Sequence, residues 1–192
     1  MVKIKDSIEL FDGYVGKTDW RTKENTNQSF SYPGFLGYAV GHTTADIALR
    51  KIFPAEVSQA HNDCFIHLHD LNGLCPYCLG LDLEMMLYKG IDDYDGPPKH
   101  FDTALGQMDS LIFLVSQQIA GAVAFNSVDI LLSAYIMKDH LSYKQVLHEI
   151  QQFVHRVNVK GRIGYQSPFL NFQLDCTVPK RLREEIRLLP VR

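Results

Sequence analysis

Apolar residues recur at three- and four-residue steps over most of the chain, and that spacing predicts a protein built chiefly of helices. From Pro33 onward, Leu36, Ala39, Val40, Ile47 and Ile52 fall on shared helix faces despite Gly37 and Gly41. Pro54 suits a first helical turn and predicts a second helix over 54–61. A third is expected over 82–88, stopped by Gly90. The most regular spans 102–119, on Leu105, Met108, Ile112, Val115 and Ile119. Ser127 is placed to cap the next, with Val128, Leu131, Leu132, Tyr135 and Ile136 as its stripe. Ser142 with Gln145 reads as a capping box ahead of Val146, Ile150, Phe153 and Val157. Pro179 opens a last helix that Pro190 closes.

Two stretches change period. Phe65-Ile66-His67-Leu68-His69 alternates with period 2, a strand signature that puts His67 and His69 on one face. Leu170, Phe172, Leu174 and Cys176 alternate against Asn171, Gln173 and Asp175 in the same way. Two strands so far apart need others to make a sheet. Residues 1–32 are polar and read as an extended arm, residues 33–192 as a helix-rich body, and 1–192 as a single partial domain. Asp92-Asp93-Tyr94-Asp95-Gly96-Pro97-Pro98 is turn-rich.

Composition narrows the class. The 192 residues are 46% hydrophobic and carry a net charge of −3 from 19 basic and 22 acidic groups, which excludes a disordered tail and gives no electrostatic case for nucleic acid. A nucleotide as a small substrate remains open. The first 20 residues are charged throughout and lack the apolar run of a signal peptide. Residues 111–137 resemble a membrane span but hold Gln117, Gln118, Asn126 and Asp129 and a small-residue break at Ala120-Gly121-Ala122. Two buried helices explain them better than one bilayer helix, so no membrane partner is expected. Four cysteines (Cys64, Cys75, Cys78, Cys176) without a secretion signal point to a reduced, cytoplasmic setting, where metal or redox chemistry outranks a disulfide framework.

Three clusters could carry chemistry. Cys75-Pro76-Tyr77-Cys78 has the spacing of a dithiol or half a zinc site, and its four letters match the glutaredoxin motif, though a long helical preface precedes it here. His67 and His69 with Cys75 and Cys78 would complete a zinc set, but a strand face holds alternate side chains about 7 Å apart, wide for one tetrahedral ion. The plainer reading makes the histidines hydrogen-bonded structural groups, Asp70 a partner for either, and the cysteines small buried residues. Residues 161–169, with Arg162, Gln166 and Ser167 among glycines, form either a plain turn or a phosphate-approaching loop that feeds the polar face of the later strand. Lys99, just before the long helix, opposes the helix dipole unless an anion offsets it.

In order, these pieces resemble the class III anaerobic ribonucleoside-triphosphate reductases of the glycyl-radical type. The residues that carry the resemblance are Glu24-Asn25-Thr26-Asn27 with Ser29, Ala60-His61, and Ile66-His67-Leu68-His69-Asp70-Leu71. They continue with Tyr77-Cys78-Leu79-Gly80, Asp82-Leu83 and Gly90, then Pro98-Lys99-His100 through Thr103-Ala104-Leu105-Gly106-Gln107. Ala120-Gly121-Ala122 with Ala124-Phe125 and Asp129, and Gln166-Ser167-Pro168-Phe169 with Asn171 and Asp175, complete the set over about residues 15–180. One departure is Gly164-Tyr165-Gln166, where the family reads Gly-Gly-Gln and so leaves room for close backbone approach.

The resemblance implies a helix-rich α/β fold, the opening segment of a ten-stranded α/β barrel that is incomplete here. It implies reduction of ribonucleoside triphosphates, with dNTP or ATP effectors. Cys78 aligns with the reducing thiol, while His69, Asp70, Gln166 and Ser167 lie near the substrate; Cys75 has no placed counterpart. No metal or other cofactor is expected on this chain itself. The family's glycyl radical is installed by an iron–sulfur activase using S-adenosylmethionine, and formate supplies reducing equivalents. The ATP cone, the radical-loop cysteine and the radical glycine are expected to lie outside residues 1–192, so the chain is expected to need the rest of the reductase, or a homodimer partner, and to be inactive, poorly soluble or oligomeric alone. Alternatives are a non-catalytic nucleotide-binding remnant and a small zinc or dithiol protein using Cys75 and Cys78.

Overall fold

The computed structural model describes residues 6–18, 22, 30–71, 73–91, 95–161, 166–180 and 182–185. The chain comprises two compact units: residues 1–77 with 160–166, and residues 78–159 with 167–192.

The first unit is helical. Ser7–Val15 forms α1, with the Asp6 carboxylate accepting the Glu9 amide at 2.8 Å. This helix replaces part of the expected extended arm, because Asp6 caps it and Ile8, Phe11 and Val15 give it apolar positions at helical spacing. The motif residues Glu24 to Ser29 lie outside the described residues. Helix α2 (Tyr32–Ile47) starts at Ser31, whose hydroxyl accepts the Gly34 amide, and runs into a π-helical turn at Ala48–Ile52. Tyr14 ties α1 to this unit by stacking on Phe30 and donating its hydroxyl to the Ser31 carbonyl. Helix α3 (Ala55–Asn62) follows, with Pro54 one step outside it at the N-cap.

The expected strand at 65–69 is a loop. Its backbone turns back on α3: the Phe65 amide reaches the Ala60 carbonyl at 2.9 Å, and Cys64 and Asp70 adopt left-handed φ of 61° and 52°. Alternating side chains make a strand only where a neighbour pairs the backbone, and here α3 takes that role.

The second unit is a parallel sheet, order β1-β2-β3, backed by helices. Its strands are Leu79–Leu81 (β1), Ala122–Phe125 (β2) and Phe169–Phe172 (β3). Helices Leu83–Lys89 (α4) and Phe101–Ser116 (α5) form the first crossover, Val128–Lys138 (α6) and Tyr143–Val157 (α7) the second; the short helix Leu182–Glu185 (α8) follows β3. Parallel pairing requires such crossovers. The break at 120–122 is therefore the lead into a buried strand, and the later strand is shorter than its alternation suggested. Pro190, the expected stop of the last helix, lies outside the described residues. No described helix is long and apolar enough to cross a membrane.

Register fixes which face is which. Leu79 and Leu81 align with Val123 and Phe125, and these with Leu170 and Phe172. This set faces the helices: Val123 is fully buried, and Phe172 packs its ring 5.6 Å from Phe153 of α7. The buried cluster continues through Leu83, Leu87, Leu105, Met108, Ile112, Leu131 and Tyr135. The alternate residues Gly80, Ala122, Ala124 and Asn171 share the opposite face. A Cβ added at Gly80 would meet nothing within 4 Å, so that face is open.

Caps reach across this unit. The Asp139 carboxylate accepts the Phe101 amide at 2.8 Å and pairs with His100 Nδ1 at 2.9 Å, supplying the anion that the start of α5 needs beside Lys99. Asn126 accepts the Leu83 amide, and Asp129 accepts the amides of Asp175 and Cys176. Ser127 does sit before α6, but with φ of 50° and no capping bond from its side chain. Gly90 has φ of 84°, and a Cβ there would lie 1.8 Å from the Asp95 carbonyl oxygen, so only glycine closes that turn.

Candidate functional site

Cys78 immediately precedes β1 and, by the register, stands level with Ala122 on the open face of the sheet. Its thiol is exposed, and the Ala122 amide donates to the sulfur at 3.2 Å. That bond engages a sulfur lone pair and leaves the S–H hydrogen available to a molecule lying on the face. Ser167, half-buried, sits two residues before β3 and thus at the same amino end of the sheet.

Further along the open face lies a crevice of about 620 Å³, lined by Gly80, Asp82, Ala124, Asn126, Asn171 and Gln173 among others. Small residues at Gly80, Ala122 and Ala124 keep the space clear, and amides line its carboxyl end. A parallel sheet is normally covered on both faces. Here one face carries the helices and the other carries a thiol, small side chains and amides.

Charged groups on the helical side serve the scaffold. Burial pushes the Asp109 carboxyl up, against the hydrogen bond and positive charge of Arg156, which ties α7 to α5. Desolvation also acts upward on Asp139, but the Phe101 amide, the His100 ring and the Lys138 charge outweigh it, and its carboxyl sits below the usual range. Burial pushes the Tyr135 hydroxyl up to about 12.

In the first unit, His69 donates or shares a proton from Nδ1 to Asp70 at 2.6 Å. The His69 ring stands edge-on to His67, with centroids 5.7 Å apart, and edge-on to Tyr77 at 6.2 Å. His67 and His69 are therefore not lined up on a strand face. Gln166 is buried, and its side-chain oxygen has no hydrogen-bond partner among the described residues. Of the five expected site residues, Cys78 and Ser167 share one sheet end, while His69, Asp70 and Gln166 belong to the other unit. Arg162 lies outside the described residues.

All four cysteines are exposed, against the expectation of small buried residues, and no three His, Cys, Asp or Glu side chains among the described residues are grouped to hold a metal. The sequence did not reveal the crevice amide Asn126 or the role of Ala122. Their signal, a register between strand partners 44 positions apart (Leu79 and Val123), is not a local one.

A family model described as anaerobic ribonucleoside-triphosphate reductase matches residues 24–190. Among curated relatives, the anaerobic ribonucleoside-triphosphate reductase of Haemophilus influenzae is 32% identical over 74% of this chain and 20% of its own length. The Escherichia coli protein of that name is 27% identical over 78% of this chain and 25% of its own. The chain thus spans about a fifth to a quarter of the curated relatives it matches. Two crystal structures of the anaerobic ribonucleotide reductase from Thermotoga maritima share the fold. One, in complex with dATP and CTP, has a TM-score of 0.65 at 19% identity over 87% of this chain and 30% of that one. The other, with glycerol in the active site, has a TM-score of 0.65 at 20% identity over 88% and 32%.

Proposed function

Because this chain belongs to the anaerobic ribonucleoside-triphosphate reductase family, we propose that it is a segment of an oxidoreductase that converts ribonucleoside triphosphates to deoxyribonucleoside triphosphates, with Cys78 as a reducing thiol. The observation that carries this reading is the exposed Cys78 thiol on the face of the sheet opposite its own unit's helices, its sulfur held by the Ala122 amide. A face of glycine and alanine lets a ribose approach that sulfur closely, and the S–H hydrogen is the group a reduction needs.

In this reading the open face becomes part of the inner wall of a ten-stranded α/β barrel. Strands from the remainder of the reductase pair with the outer edges of β1 and β3, satisfying backbone groups that otherwise invite aggregation. His69, Asp70, Gln166 and Ser167 contact the nucleotide or orient groups that do. The unmet acceptor on buried Gln166 suits a hydroxyl or amino group of the ligand. A glycyl radical installed elsewhere on the enzyme by an S-adenosylmethionine-dependent activase would generate, at a cysteine outside these residues, the thiyl radical that takes hydrogen from the sugar, and formate would supply reducing equivalents. Cys78 holds its hydrogen on the sugar face, and the barrel wall excludes water from it. Effector nucleotides and a homodimer partner belong to the same reading, as does a cytoplasmic location.

The test is deoxynucleotide formation with activase, S-adenosylmethionine, formate and a ribonucleoside triphosphate. The 192 residues alone yield none, and the assembled reductase carrying Cys78→Ser binds substrate but yields none. Turnover by the Cys78→Ser enzyme would overturn the reading.

A further inference from the structure

Beyond its first turn, the loop bearing His69 and Asp70 is tied back to α3 by a side-chain nitrogen. His61 lies in the last turn of α3, and its Nδ1 accepts the Leu68 amide at 3.1 Å. The other backbone donors of the loop's first half, at Asp63, Cys64, Phe65 and Ile66, bond to α3 carbonyls, so they hold the turn but not the segment beyond it. Leu68 immediately precedes His69, so the bond from its amide ties the His69–Asp70 pair back to α3, while the Gly73 amide closes the following turn on the Asp70 carbonyl at 3.1 Å.

From this geometry we infer that His61 is a positioning residue: its neutral imidazole, with the proton on Nε2, locks the loop that presents His69 and Asp70, and protonation opens that lock. An imidazole nitrogen that accepts a hydrogen bond carries no proton, so the Leu68 contact fixes the tautomer of His61. His69 is set the other way round, with Nδ1 against the Asp70 carboxylate. A proton on His61 Nδ1 would face the Leu68 N–H, donor against donor, and the contact would be lost.

The ring of His67 packs 5.7 Å from that of His61, and the array continues through His69 to Tyr77, with Asp70 beside it. Charging His61 therefore also places a cation against a second imidazole. On α3 itself, Glu56 is a full turn away, and the Asp63 carboxylate is engaged by the Gln59 amide. Asp70 is the acid of the loop, and it is committed to His69.

The assignment of the lock stands on these contacts; only its consequence for catalysis rests on the reading that His69 and Asp70 meet the nucleotide. The experiment uses the assembled reductase, with ¹⁵N label confined to these 192 residues, and nuclear magnetic resonance, following the imidazole ¹⁵N shifts and the exchange protection of the Leu68 amide from about pH 8 to about pH 5. The expected result is an Nε2–H tautomer at His61 at the upper end and a roughly five- to tenfold loss of Leu68 protection, corrected for intrinsic exchange, as His61 takes up a proton. His61→Asn keeps an acceptor near the position of Nδ1 but does not titrate, so its Leu68 protection stays high and flat. His61→Ala loses protection at every pH. An Nδ1–H tautomer in the wild type, or Leu68 protection that is the same in wild type and His61→Ala, overturns the inference; should His61→Ala not fold, the tautomer and the His61→Asn profile decide. Adding a ribonucleoside triphosphate to the assembled reductase separates the two ideas, since an unperturbed His69 with an intact lock removes the substrate role and leaves the lock.

Discussion

The two units bury different things. In the second, the buried residues form one aliphatic and aromatic cluster from Leu83 to Leu182, sealed between the sheet and its helices. In the first, few large apolar side chains among the described residues are buried (Tyr14 and Leu49 among them), and they share the interior with His42, Asp46, Ser58 and Gln166. Phe65, Ile66, Phe30 and Tyr32 stand exposed there. Burial of apolar area is the main source of folding free energy, so the second unit is organised as a core and the first as a set of aromatic stacks and hydrogen bonds. The proposed site residues follow the same division: the sheet holds Cys78, and a loop tied to α3 holds His69 and Asp70.

Substitutions can break or sharpen that contrast. Leu131→Ala, in the fully buried heart of the second unit, is expected to cost about 2–5 kcal/mol in denaturant unfolding, whereas Leu49→Ala in the first falls at or below the low end of that range. Equal costs would erase the distinction. Arg156→Ala leaves the Asp109 carboxylate buried without its counter-charge, and since Arg156 is itself 40% exposed the expected loss is about 1–3 kcal/mol at pH 7. Burial already raises the Asp109 carboxyl, so folded protein takes up that proton more readily than unfolded chain does; the cost of Arg156→Ala shrinks as pH falls, and a loss independent of pH would contradict this.

Asp139→Asn comes next, at about 1 kcal/mol, because one cap and one His100 pairing are weakened. The sign of its pH dependence is opposite. Asp139 is depressed when folded, so its contribution is complete above the unfolded carboxylate value of about 3.9 and disappears as pH falls through the lower folded value. Wild type and variant should therefore converge in acid. The smallest effect is expected for Tyr135→Phe: its hydroxyl is buried without a partner among the described residues, so removing it changes stability by about 0–1 kcal/mol, toward greater stability. A large loss would reveal a hydrogen bond at that oxygen.

What could be read from the sequence divides along physical lines too. Helices α4, α5 and α7 were legible because their signals are local: a Gly90 stop, a three-and-four spacing on Leu105, Met108 and Ile112, and a Ser142–Gln145 reach-back seen at 2.9 Å. Strands β1 and β2 were not, since three or four small and apolar residues take their meaning from partners some 40 positions away. The alternation at 65–69 misled for the converse reason, being a strand pattern with no strand beside it. Cys78 was nameable from family resemblance, but its place on the uncovered face needed the register of Val123 against Leu79.

The claim that organises all of this is that Cys78 lies where the sugar of the substrate lies. Alkylation rates of individual cysteines in the assembled reductase, read by mass spectrometry with and without a ribonucleoside triphosphate, test it most directly. At substrate about ten times its Kd, Cys78 should be protected about tenfold while exposed Cys64 and Cys176 react as before. An unchanged rate at Cys78 under saturating substrate would contradict it.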